Sequence, residues 1–168
     1  MKKNEIIIIA VVTILGGVGL WLYKPTTHSA VKSHTEMPPT MQLKIFVANS
    51  KLDPQNLTCN HVFPLTRTVE KTNSVAKTAL NELLKGVTDS EKTGGYLSVI
   101  EPDVTLKSIS IKDGVVYADF DKTLERSSGG ACKSTMIISE IKQTLLQFST
   151  VKDVVISIDG NTEDILQP

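Results

Sequence analysis

VTLKSISIKDGVVYADF, Val104 to Phe120, is a pair of β-branched runs separated by Asp113-Gly114. Both central residues tolerate positive φ, so the stretch predicts an antiparallel hairpin with a tight turn. On its first strand Leu106, Ser108 and Ser110 share one face, with Lys107, Ile109 and Ile111 on the other; on its second strand Val116, Ala118 and Phe120 line the core. Downstream, Met136 to Phe148 predicts a helix whose apolar stripe is Ile138, Ile141, Leu145 and Phe148. Val154, Ile156 and Ile158 alternate in a closing strand, Asp153 to Ile158, and Asp159-Gly160-Asn161 turns the chain. Ile165 and Leu166 are the packing residues of the tail.

Upstream, Asn73 to Lys85 predicts a first helix, with Val75, Ala76, Ala79, Leu80, Leu83 and Leu84 along one side. Asn73 suits its N-cap, and Gly86 suits the left-handed position just past its end. Leu43, Ile45 and Val47 alternate with polar or outward residues as in a strand with one buried face. His61 to Val69 is a second extended segment, either irregular or at an edge because Pro64 cannot donate to a ladder. The order β-β-α-β-β-α-β predicts a small two-layer α+β sandwich: two helices packed on one mixed or mostly antiparallel sheet.

Before this domain the sequence changes character. Ile6 to Tyr23, IIIIAVVTILGGVGLWLY, carries no charge. As a helix it would be about 27 Å long, close to the roughly 30 Å hydrocarbon core of a bilayer. Lys2 and Lys3 precede it, and Trp21, Tyr23 and Lys24 stand at its other end. The pattern predicts one transmembrane helix with a cytoplasmic N-terminus and an extracytoplasmic remainder. A cleaved signal peptide is the alternative, although the apolar run is long for one and His28-Ser29-Ala30 is a poor cleavage site. The expected domains are therefore a membrane anchor over 1–24, a Thr/Ser/Pro-rich linker over 25–41 and a folded extracytoplasmic domain over 42–168. His28 and His34 lie in the linker, where solvated side chains explain them better than metal ligation.

Lys+Arg and Asp+Glu each number 18. Setting aside Lys2, Lys3, Lys24 and Glu5 leaves the folded part slightly acidic, which argues against nucleic acid as a partner. Asn56-Leu57-Thr58 fits a glycosylation sequon and carries no functional assignment.

SSGGACKST, Ser127 to Thr135, has the glycines and Lys-Ser of a phosphate loop but fails its pattern. A phosphate loop needs glycine directly before lysine, where this chain has Cys132, and an earlier glycine where it has Ser127. The chain has two cysteines, Cys59 and Cys132, both in the exported part. An oxidising compartment favours a disulfide between them. Two separate buried thiols, or a reactive Cys132 at a helix N-terminus with His61 as base, are the alternatives. Asp119 and Asp121 alternate along a strand, so they point the same way; a solvated strand end explains them better than a metal site. Asp153, Asp159, Glu163 and Asp164 make the C-terminal region acidic, and Arg67 suits a carboxylate, most commonly in a structural ion pair.

Three segments in order carry a family resemblance: NELLKG followed by Glu91 and Gly94, then ISIKDGVVYADF, then QFSTVKDVVISIDG. Over about residues 42–163 the chain resembles the GerMN domain of sporulation and spore-germination proteins. Val87 stands where that family usually has proline. The resemblance implies a membrane-anchored or lipid-anchored domain of the bacterial envelope, with a fold similar to ring-building motifs, no catalytic residues and no cofactor. The function expected is a non-enzymatic binding or assembly module that contacts an envelope protein or a cell-wall component, with room for homo-oligomers. A small-ligand sensor and an envelope hydrolase using Asp119, Asp121 and His61 are the alternatives.

Overall fold

The computed structural model describes residues 38–167. The predicted anchor over 6–23, and His28 and His34, lie outside these residues. Among the described residues no helix is long and apolar enough to cross a membrane.

The fold is α+β. Strand β1 (Thr40–Asn49) is followed by β2 (Phe63–Glu70), α1 (Val75–Leu84), a short α2 (Asp89–Thr93) and β3 (Tyr96–Leu97). The hairpin β4 (Leu106–Lys112) and β5 (Val115–Phe120), a one-turn α3 (Thr123–Arg126), α4 (Ala131–Leu146) and β6 (Asp153–Ile158) complete it.

The hairpin forms where the sequence places it. Lys112 pairs with Val115 across a turn in which Asp113 and Gly114 have φ of 53° and 85°. β6 then adds in parallel to β5, in register from Val115–Asp153 to Phe120–Ile158. That parallel addition needs the crossover that α4 provides.

One expectation requires correction. The strands form two three-stranded sheets, ordered β2-β1-β3 and β4-β5-β6, rather than one sheet. The reason lies along the edge of β1 that faces away from β2. Only Ala48 and Asn49 pair with β3 there. Earlier on that edge, side chains of α4 and of its C-cap residue Gln147 take the place of a strand. Gln147 Oε1 accepts the N–H of Lys44 at 3.0 Å while Gln147 Nε2 donates to the carbonyl of Lys44 at 2.6 Å. Thr144 Oγ1 accepts the N–H of Phe46 at 3.0 Å, and Glu140 Oε1 lies 3.5 Å from the nitrogen of Ala48. Residues 140, 144 and 147 share one helix face. Their polar atoms satisfy a buried strand edge that would otherwise demand another strand.

The core lies under both sheets and against both long helices. Leu43, Ile45 and Val47 of β1 meet Ala79, Leu80 and Leu83 of α1, while Ile137, Ile141 and Leu145 of α4 join Val116, Ala118, Phe120 and Ile156. Each buried Val, Leu, Ile or Phe among them contributes about 1.5–3 kcal/mol by leaving water. The tail closes over the core through Leu166, which is buried, and Ile165, which is half-buried.

Helix boundaries also differ from expectation. α4 begins at Ala131, not Met136, after Gly130 at φ 108°. Its first turn is polar, so the apolar stripe starts a turn late. Ser74, not Asn73, holds the N-cap position of α1, without a side-chain capping bond. Gly86 does adopt the left-handed conformation, φ +70°, and its N–H bonds to the Leu83 carbonyl at 2.9 Å.

Candidate functional site

The loop between β1 and β2 and the first turn of α4 meet at the two cysteines. Cys59 and Cys132 are joined by a disulfide with their Cα atoms 5.0 Å apart, bridging positions 73 apart in sequence. The loop is shaped for this contact by left-handed residues, Asn56 at φ 44° and Cys59 at φ 56°. Asp53 Oδ1 accepts the N–H of Asn56, three residues on, at 3.0 Å and so holds the turn. Asn56 Nδ2 reaches Cys132 Sγ at 4.0 Å. His61 Nδ1 sits 3.1 Å from Asp53 Oδ2. A nucleophilic cysteine needs a free thiolate. Cys132 is bonded to Cys59, and the contact of His61 is with Asp53, so the reactive-thiol alternative has neither its nucleophile nor its base in place.

The two strand carboxylates diverge in their partners. Asp119 Oδ1 accepts from Ser157 Oγ and from the N–H of Gly160, both at 2.7 Å. The Ser157 hydroxyl, helped by Gly160 and Lys107 against some desolvation, holds the Asp119 carboxyl below the usual range. Asp121 Oδ1 accepts the N–H of Thr123 at 3.1 Å and of Thr105 at 3.3 Å. Desolvation opposes ionisation of Asp121, but these backbone and hydroxyl donors from Thr105 and Thr123 outweigh it and lower its pKa. Each carboxylate thus ties down a chain turn at the end of the hairpin. Asp159 takes Lys107 at 2.7 Å, and Asp153 lies 3.9 Å from Lys142. Among the described residues no three His, Cys, Asp or Glu side chains are grouped to hold a metal ion.

Arg67 makes a structural ion pair. Its Nη1 bonds to Glu91 Oε1, and its Nη2 donates to the Gly86 carbonyl at 2.8 Å. Glu91 also completes a capping box: its Oε2 accepts the N–H of Thr88 at 2.7 Å while Thr88 Oγ1 accepts the N–H of Glu91 at 3.3 Å. One guanidinium therefore ties β2 to the end of α1 and the start of α2.

Glu140 is a buried ionisable residue that periodicity did not single out. It is fully buried, and its Oε2 accepts the Ser98 hydroxyl at 2.7 Å while Oε1 faces the N–H of Val99 at 3.3 Å. Burial pushes its pKa from an ordinary 4.5 to about 7, and the bonds from Ser98, Val99 and Ala48 only partly oppose this. The signal was present as Glu140, Thr144 and Gln147 on one face, a pattern that looks solvated until β1 is placed beside it.

Solved structures with a related fold include the following three. The tandem GerMN domains of the sporulation protein GerM from Bacillus subtilis match at a TM-score of 0.58 and 25% identity, over 73% of this chain. The chain spans 40% of the length of that tandem protein. The first GerMN domain of the same protein matches at 0.57 with 22% identity, over 76% of this chain and 92% of that one. A Clostridium perfringens protein described as a lipoprotein matches at 0.51 with 19% identity, over 76% of this chain and 80% of that one. The latter two likenesses establish the fold alone. A comparison with curated proteins finds no match. Residues 44–164 match the family described as Germane, sporulation and spore germination. With that match covering most of its length, the chain belongs to the Germane (GerMN-domain) family.

Proposed function

We propose that this protein is a non-enzymatic, membrane-anchored, extracytoplasmic binding and assembly module of the bacterial cell envelope. The observation that carries the reading is the Cys59–Cys132 disulfide in a domain that follows the uncharged run Ile6 to Tyr23. A disulfide of this span suits an oxidising compartment, and the apolar run suits delivery across a bilayer. The roles of the ionisable side chains support binding over hydrolysis. Asp119 and Asp121 each hold backbone turns, and Arg67 and Glu91 clamp elements together.

The partner of such a module is an envelope protein or a cell-wall component. A photocrosslinking residue at position 57 of the full chain in its native envelope tests this, because Leu57 is 80% exposed at the tip of the disulfide-tied loop. The reading predicts a defined crosslinked neighbour. A chain that diffuses as a free monomer and yields no neighbour from any exposed position contradicts it.

A further inference from the structure

The core face of the hairpin sheet is unfinished at one edge. β4 is the terminal strand of its sheet. Ile111 lies opposite Val116 and Ile109 opposite Ala118, so both isoleucines belong to the face that carries the core. Val116 and Ala118 are fully buried, yet Ile111 is 53% exposed. A groove of about 320 Å³ runs beside it, between β4 and the first turn of α1, lined by Ile109, Ile111, Ser74, Val75, Ala76 and Lys77.

The backbone at that edge is open as well. A two-residue turn makes Lys112 and Val115 a hydrogen-bonded pair, and alternation then turns the N–H and C=O of Ile109 and Ile111 away from β5. The β2 edge of the other sheet is interrupted by Pro64, whereas β4 has no proline and only one irregularity, between Leu106 and Ser108. Ser108 to Lys112 is thus a regular strand edge with an apolar trough along its inner face.

Charge selects the occupant. Lys77 lines the groove and Lys112 ends the strand; neither meets a carboxylate among the described residues, whereas Lys107 is held by Asp159. The first turn of α1 has no acidic residue and no side-chain cap, so its N–H groups add to the positive field. Pairing β4 antiparallel with a second copy over its full length would set Lys112 opposite Leu106 and Lys107 opposite Ile111 at both ends, gathering four lysines along the seam and bringing no carboxylate to Lys112, which disfavours self-pairing. An extended segment with apolar side chains facing inward and carboxylates flanking them satisfies the edge, the trough and the lysines together.

We propose that the β4 edge and the adjoining α1 groove receive an acidic, extended segment of a partner protein as an added strand. This rests on the binding-module reading and names the surface that serves it.

The test uses the full chain in detergent micelles and fluorescence anisotropy of two labelled probes, an alternating Val-Glu octapeptide and an alternating Val-Lys octapeptide. The Val-Glu probe is expected to bind at least about tenfold more tightly than the Val-Lys probe. Its binding is expected to vanish when alternate amides are N-methylated, and to weaken about tenfold in Ile111→Asp and in Lys112→Glu. Ile111 is exposed enough that its substitution leaves the fold in place, which unchanged thermal unfolding will register. Equal affinity for both probes, or indifference to N-methylation or to Ile111→Asp, overturns the proposal. Self-association of the chain that Ile111→Asp abolishes overturns it in favour of a second copy. An envelope neighbour crosslinked from position 57 but never from position 111 also overturns it, while leaving the binding-module reading intact.

Discussion

Thr144 Oγ1 lies 3.0 Å from the backbone nitrogen of Phe46, a strand N–H answered by a helix side chain. Gln147 and Glu140 do the same for Lys44 and Ala48. This seam divides the strands into two sheets, because α4 occupies the edge where a further strand would pair.

Replacing Thr144 by Val keeps the shape but removes the acceptor from a fully buried position. The Phe46 N–H is then left without its partner, at a cost of about 1–3 kcal/mol. Urea unfolding is expected to show a lower midpoint with an unchanged slope, and Thr144→Ser is expected to recover part of the loss.

Glu140 gives the stability a pH dependence of definite sign. Its folded pKa of about 7 lies above the ordinary 4.5. Below the lower value both states are protonated. Between the two, the unfolded chain has released the proton and the folded chain still holds it, so stability falls as pH rises and levels off above the higher value. The slope for one such site is about 1.4 kcal/mol per pH unit. Denaturation midpoints at pH 5 and pH 8 are expected to differ in the wild type and to converge in Glu140→Gln. Asp119 and Asp121, with lowered pKa values, act in a separate window: their contribution is present above 3.8 and is lost as the solution is acidified further.

The Arg67–Glu91 pair is mostly shielded, with side-chain exposures of 14% and 17%. Arg67→Ala leaves Glu91 without its cation and the Gly86 carbonyl without its donor. The expected cost is about 2–4 kcal/mol, with a smaller loss for Glu91→Gln. A double-mutant cycle is expected to give a favourable coupling of about 1 kcal/mol or more.

Gly95 combines a φ of +92° with a close approach of the chain. An added Cβ would stand 2.8 Å from Asn49 Oδ1, the atom that accepts the N–H of Lys51 at 2.9 Å and of Leu52 at 3.0 Å. Gly95→Ala is therefore expected to cost about 1–3 kcal/mol, read as a lower unfolding midpoint. Gly160→Ala carries positive φ but meets open space, and is expected to cost less.

Local chemistry made much of this fold legible. Asp113-Gly114 announced the hairpin, and the alternation of Leu43, Ile45 and Val47 announced a buried strand face. Thr88 and Glu91 spell a capping box that the sequence also contains, yet with only a five-residue helix behind it no apolar period drew attention to it. The start of α4 was hidden because Cys132, Lys133, Ser134 and Thr135 lack a stripe. The shared face of Glu140, Thr144 and Gln147 is visible in the sequence, but it reads as a solvated helix face rather than a seam. Its meaning depends on β1, roughly a hundred residues away in the chain, lying alongside it.

The central claim is that this domain works outside the cytoplasm with Cys59 and Cys132 joined. The chain-entropy model assigns such a closure about 4 kcal/mol, a large share of a small domain's stability. The direct measurement is alkylation of the full chain with a polyethylene-glycol maleimide, under denaturing conditions, immediately after extraction from its native envelope. The account predicts no adduct before reduction and adducts at both cysteines after it. Adducts at both cysteines without any reductant would contradict it.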